Sequence, residues 1–120
     1  MKKIIRITES DLTNIVKKVI TEQTEEINFI KGIQRFLNMK KITGNDKKPL
    51  LVDGRTDNNL TSQTAQAISN YQSMIGLYPV DGVWGENTWN KMPAQDKTLL
   101  KDLIAKEGGL IDRFLNWIGL

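Results

Sequence analysis

Apolar residues recur along this chain with a helical period wherever it is not dense in Gly, Asn, Asp and Pro. Leu12, Ile15, Val16, Val19 and Ile20 fall at i, i+3, i+4, i+7 and i+8, which predicts an amphipathic helix over 9–22. Thr8 and Asp11 stand at its start in the order of a capping box. The polar stretch "TEQTEE" reads as a hinge before a second helix, "INFIKGIQRFLNMK", with Ile27, Ile30, Ile33, Phe36 and Leu37 as its apolar stripe. Gly32 lowers the stability of that helix by about 1 kcal/mol relative to Ala unless another backbone packs closely against it. "KITGNDKKPLLVDGRTDNNL" has no helical repeat and reads as a long structured loop. Next comes "SQTAQAISNYQSMI", a helix that buries Ala65, Ile68, Tyr71, Met74 and Ile75 and ends at Gly76.

A short helix at "ENTWNKM" is stopped by Pro93. Beyond it, Gly108 and Gly109 separate two amphipathic helices, one lined by Leu99, Leu100, Leu103 and Ile104, the other by Leu110, Ile111, Phe114, Leu115 and Ile118. The expected fold class is all-α, with no convincing strand.

Composition narrows the chemistry. With 120 residues, one small domain with additions is expected. Cys and His are both absent, which removes thiol nucleophiles, imidazole bases, disulfides and nearly all zinc sites. No metal or other cofactor is expected. The net charge of +3 is mild and its cations are scattered, so a nucleic-acid partner is not expected. No run approaches the ~18 apolar residues of a membrane span, and the basic N-terminus lacks the apolar core of a signal peptide. Synthesis in the cytoplasm without a secretion signal is therefore expected.

An internal echo is more specific. "LLVDGRTDNNLTSQTAQAI" and "YPVDGVWGENTW" share Val-Asp-Gly, a polar turn and a Thr that opens a helix. In each, the Asp carboxylate is suited to bracing nearby N–H groups, and the Gly supplies a left-handed position. Thr64 and Thr88 stand where the first helical N–H groups need acceptors.

The order "IQRFLN", "VDG", "TAQAISNYQSMIGL", "VDGVWGENTW", over about residues 27–93, resembles the peptidoglycan-binding domain of cell-wall amidases, muramidases and phage endolysins. Gly76, Leu77, Asp81, Gly82, Gly85, Thr88 and Trp89 carry the spacing of that family's second half. The first half departs from it. Four extra residues lie between Asp53 and Thr64 relative to the second loop, no Gly follows Gly54 within that loop where the family usually has one, and Tyr71 replaces the usual Phe. The insertion "RTDNNLTS" is expected to reshape or block a ligand groove. The resemblance implies a compact three-helix domain without catalytic machinery.

Individual residues carry competing readings. The paired settings of Asp53 and Asp81 argue for two turn braces and against a glycosidase pair. Glu107 precedes Gly-Gly at a helix end, which explains it without catalysis. Trp89 is expected in the core, whereas Trp84 reads equally as core or as a sugar-stacking face. For ligand contact the candidates are Asp53, Arg55, Asp57, Asn58, Tyr78, Asp81, Trp84 and Asn87, whose groups suit amides, hydroxyls and carboxylates. Residues 1–24 resemble short leaders on proteins of large tailed phages, with "ITE" placing a processing site at Glu22.

The expected organisation is an amphipathic helix or leader at 1–24, a peptidoglycan-binding-like domain at 25–93 and a helical extension at 94–120. The function expected is non-enzymatic binding of peptidoglycan by a phage or prophage protein, acting beside a separate lytic enzyme. The alternative is a structural virion protein whose amphipathic ends dock on other phage structural proteins.

Overall fold

The computed structural model describes residues 25–120; the helix predicted over 9–22, the leader and the Glu22 site lie outside the described residues. The described chain is all helical, with no strand. Helix α1 covers residues 25–39, α2 Gln63–Met74, α3 Glu86–Lys91, α4 Ala94–Lys106 and α5 Ile111–Trp117. Among these described residues no helix is long and apolar enough to cross a membrane.

Helices α1, α2, α4 and α5 stop by one device. After each C-cap comes a left-handed residue, Lys41, Gly76, Gly108 or Gly119, and its N–H and the next one fold back onto the last helical turn. This Schellman closure satisfies carbonyls that the helix end would leave unpaired. At α2 the two bonds are Gly76 N–H to the Ser73 carbonyl, 3.1 Å, and Leu77 N–H to the Gln72 carbonyl, 2.9 Å.

The core gathers Phe29, Ile33, Phe36 and Leu37 of α1 with side chains from every other helix, including Tyr71, Trp89, Leu100, Ile104 and Phe114. Residues 94–120 are thus built into the packing. Phe114 meets Phe29 and Trp89 edge-on at centroid distances of 5.4 and 6.0 Å. A Cβ on Gly32 would lie 3.0 Å from the Cα of Ile104, so α1 and α4 touch backbone to backbone there. The condition for tolerating Gly32 in mid-helix is met. Buried Asp96 of α4 ties in α2 and the end of α1, accepting from the Tyr71 hydroxyl at 2.7 Å and pairing with Lys40 at 2.9 Å. Burial first, then the bond to Asp96 and its charge, push the Tyr71 phenol well above its ordinary pKa.

Three expected core positions prove exposed: Ile27 (40%), Met74 (66%) and Leu110 (64%). Ile27 sits at the edge of α1 and covers Gly54. On α2 the inward positions near the C-terminus belong to Tyr71 and Gln72, both 1% exposed, which leaves Met74 outside. Leu110 is the N-cap of α5, ahead of the helical face it was expected to line.

Candidate functional site

Two buried glutamines organise the loops. The Gln72 amide, on α2, donates from Nε2 to Asp81 Oδ1 (2.8 Å), the Val83 carbonyl (3.0 Å) and Thr88 Oγ1 (3.0 Å). Its Oε1 accepts from the N–H groups of Asp81 and Gly82, both at 3.0 Å. Gln34, on α1, repeats the arrangement. Its Nε2 donates to Asp53 Oδ1 (3.0 Å), the Arg55 carbonyl (3.1 Å) and Thr64 Oγ1 (2.9 Å), and its Oε1 accepts from Gly54 N–H (2.9 Å). The sequence echo is therefore a repeated clasp of Gln, Asp-Gly and Thr.

Within each clasp the Asp closes its own turn. Asp53 Oδ1 accepts from Arg55 N–H and Asp81 Oδ1 from Val83 N–H, each at 3.0 Å. Gly54 and Gly82 take φ of +76° and +72°, the conformation expected of them. Burial opposes the charge of Asp53, but the Gln34 amide and the backbone N–H of Arg55 outweigh it and hold the carboxyl below its usual range. Thr64 and Thr88 are not helix caps. Ser62 caps α2 by accepting from Ala65 N–H, and Gly85 is the N-cap of α3, whereas both threonines lie inside their helices, buried, facing a glutamine amide. A hydroxyl that donates and accepts serves a buried amide better than it serves an exposed helix start.

The four-residue insertion has its own brace. Asp57 Oδ1 accepts from the N–H groups of Asn59 (3.1 Å) and Thr61 (3.2 Å), and its Oδ2 accepts from the Thr61 hydroxyl. The Thr61 hydroxyl foremost holds the Asp57 carboxyl below its usual range. Leu60 then lies against Gly82, where a Cβ would meet its Cδ2. The insertion is laid across the second turn.

The candidate ligand residues divide among three surface clefts. Asp53 and Arg55 border one of about 300 Å³, with Lys48 on its wall. Tyr78, Asp81 and Asn87 border a second of about 350 Å³ beside the Gln72 clasp. Asp57, Asn58 and Trp84 border a third of about 370 Å³. Arg55, Asn58 and Asn87 are exposed, and their side chains take no hydrogen bond among the described residues. The Tyr78 hydroxyl pairs with Ser73 Oγ at 2.9 Å.

The sugar-stacking reading of Trp84 gives way. Its ring is 4% exposed, lies parallel to Tyr71 (5.3 Å, 10°) and meets Phe36 edge-on (5.8 Å). A sugar has no free aromatic face there. Trp89, 7% exposed, fills the core as expected. Glu107 caps α4 and pairs with Arg35.

Sequence reasoning missed Gln34 and Gln72. Each follows a large buried residue, Ile33 or Tyr71, and precedes a Val-Asp-Gly and then a Thr, so the echo extended further back than the loops alone showed.

The model of the family described as "Putative peptidoglycan binding domain" matches residues 29–92, more than half of the chain. The chain belongs to this family. Both clasps of the peptidoglycan-binding domain, from Gln34 to Thr88, fall inside the match, whereas α4 and α5 lie outside it. No match was found among curated proteins or among solved structures.

Proposed function

We propose that this peptidoglycan-binding domain acts without catalysis, holding a phage or prophage protein on the bacterial wall. The observation that carries the reading is the pair of clasps. They fix two loops from within by buried amides and leave Arg55, Asn58 and Asn87 exposed with donors uncommitted among the described residues. Peptidoglycan offers carboxylates, amides and hydroxyls to such donors. Both acids that a hydrolase reading would need are engaged in their own turns. A phage origin is supported by the leader-like sequence of residues 1–24.

Retention on purified sacculi tests the function. The chain is expected to sediment with the wall more than a helical protein of equal net charge, and Arg55→Ala with Asn87→Ala should reduce retention about tenfold while leaving helical circular dichroism unchanged. Retention no greater than the control refutes wall binding. Lysis of the wall by the pure chain refutes the non-catalytic part.

A further inference from the structure

The third cleft differs from the other two in how it is made. Its walls join Glu26 and Ile30 of α1, Asp57 and Asn58 of the insertion, Trp84 of the second turn and Trp117 of α5. Glu26 and Trp117 lie outside the family match, and the insertion is an addition to the family pattern, so the cleft belongs to this chain in particular.

One wall residue carries a polar atom that is out of balance. Trp84 Nε1 is, among the described residues, the buried side-chain polar atom left without a hydrogen-bond partner. Native interiors pair nearly all such groups, and an orphan donor calls for a reason. The rest of the wall states what an occupant must offer. Ile30, Val83 and Trp117 ask for a small apolar group. Glu26 and Asp57 ask for hydrogen-bond donors, and with no Lys or Arg among the described residues of the wall they repel a carboxylate or phosphate. The Trp84 N–H asks for a neutral oxygen acceptor.

We propose that this cleft takes the acetamido group of an N-acetylated amino sugar of the wall glycan. The carbonyl accepts from Trp84 Nε1, the methyl lies against Ile30 and Trp117, and the amide N–H and ring hydroxyls donate to Asp57 and Glu26. Val83 and Trp117, each 38% exposed, form the lip that yields for the carbonyl to reach the indole. The proposal rests on the wall-binding function and adds which part of the polymer is read. An alanine amide of the stem peptide shares the carbonyl, N–H and methyl but brings no ring hydroxyls and ends in carboxylates.

The test uses the full chain labelled with 15N. Titration with a tetramer of N-acetylglucosamine is expected to shift the Trp84 indole N–H resonance downfield as it gains an acceptor. The glucosamine tetramer and an alanyl stem peptide should leave it unmoved. Trp84→Phe, which keeps an aromatic ring but deletes the donor, should weaken tetramer binding about tenfold; Glu26→Ala, at an exposed position, should weaken it about threefold with no change in melting temperature. The proposal is overturned if the indole resonance stays still with the acetylated tetramer, or moves equally with the deacetylated tetramer or the peptide. Sacculus retention, measured alongside, separates the two readings: retention with a silent indole removes the acetamido site and leaves wall binding intact.

Discussion

Replacing Gln72 with Ala should unfasten the second loop from within. The side-chain amide serves three acceptors and two backbone N–H groups. Leaving one buried polar group unpaired costs about 1–3 kcal/mol. The Gly82 N–H is buried and loses its acceptor outright. The Thr88 hydroxyl and the Val83 carbonyl keep a long 3.4 Å contact with each other, which softens their loss. The sum is about 3–4 kcal/mol, a large fraction of a small domain's stability. At about 4–8 °C per kcal/mol for a domain of this size, melting temperature should fall by roughly 12–32 °C. Calorimetry of Gln72→Ala against Gln95→Ala, an exposed position on α4, measures it. A drop below about 4 °C would mean that the amide does not hold the turn. Gln72→Glu sharpens the test. The new carboxylate keeps the acceptor for the two N–H groups but sets an oxygen against Asp81 Oδ1 and the Val83 carbonyl. That repulsion raises its folded pKa above the unfolded ~4.3, so the penalty appears as pH rises through this range and fades below it. The stability gap to the parent should narrow from pH 7 to pH 4, and a constant gap would refute the assigned amide orientation.

Three further outcomes follow from the packing. A chain ending at residue 93 loses Leu100, Ile104 and Phe114, each 0% exposed, at about 2 kcal/mol apiece before their partners are counted; it should show no cooperative melt, and a sharp transition would show that residues 25–93 are self-sufficient. Gly32→Ala should destabilise by about 1–3 kcal/mol in urea titration, against the ~1 kcal/mol gain that helix propensity alone favours, because its Cβ would press on the Ile104 backbone. Stability should fall as pH rises above about 10, since the unfolded chain ionises Tyr71 there while the folded chain, with the phenol pKa raised by burial and by Asp96, holds it neutral; Tyr71→Phe should flatten that decline in urea midpoints measured between pH 8 and pH 11.

Much of this architecture is legible in the residues themselves. Periodic apolar positions locate α1 to α5, and the Val-Asp-Gly echo marks the two turns with their left-handed glycines. What periodicity cannot carry is which residues a packed interior accepts. Gln34 and Gln72 look like surface polar positions on amphipathic helices, yet they are fully buried because a loop arrives to satisfy each amide. Met74 and Leu110 look like core by spacing and lie outside, since Tyr71 and Gln72 take the inward positions of α2 and Leu110 caps α5 from ahead of its buried face. Trp84 is flanked by turn residues that suggest exposure, and only the tertiary meeting of Tyr71 and Phe36 encloses its ring. The family match stops at residue 92, and no sequence signal says that Ile104 fills the gap opposite Gly32.

One helix belongs to both clasps. Thr64, in the first turn of α2, receives the Gln34 amide, and Gln72, eight positions later, supplies the amide of the second clasp. That separation is roughly 12 Å along the axis, so α2 acts as a rigid bar bolted to a loop at each end. A tilt of the bar displaces both loops together. On the proposed wall-binding role, two contacts with a stiff polymer would then form in step, with little further loss of internal motion at the second.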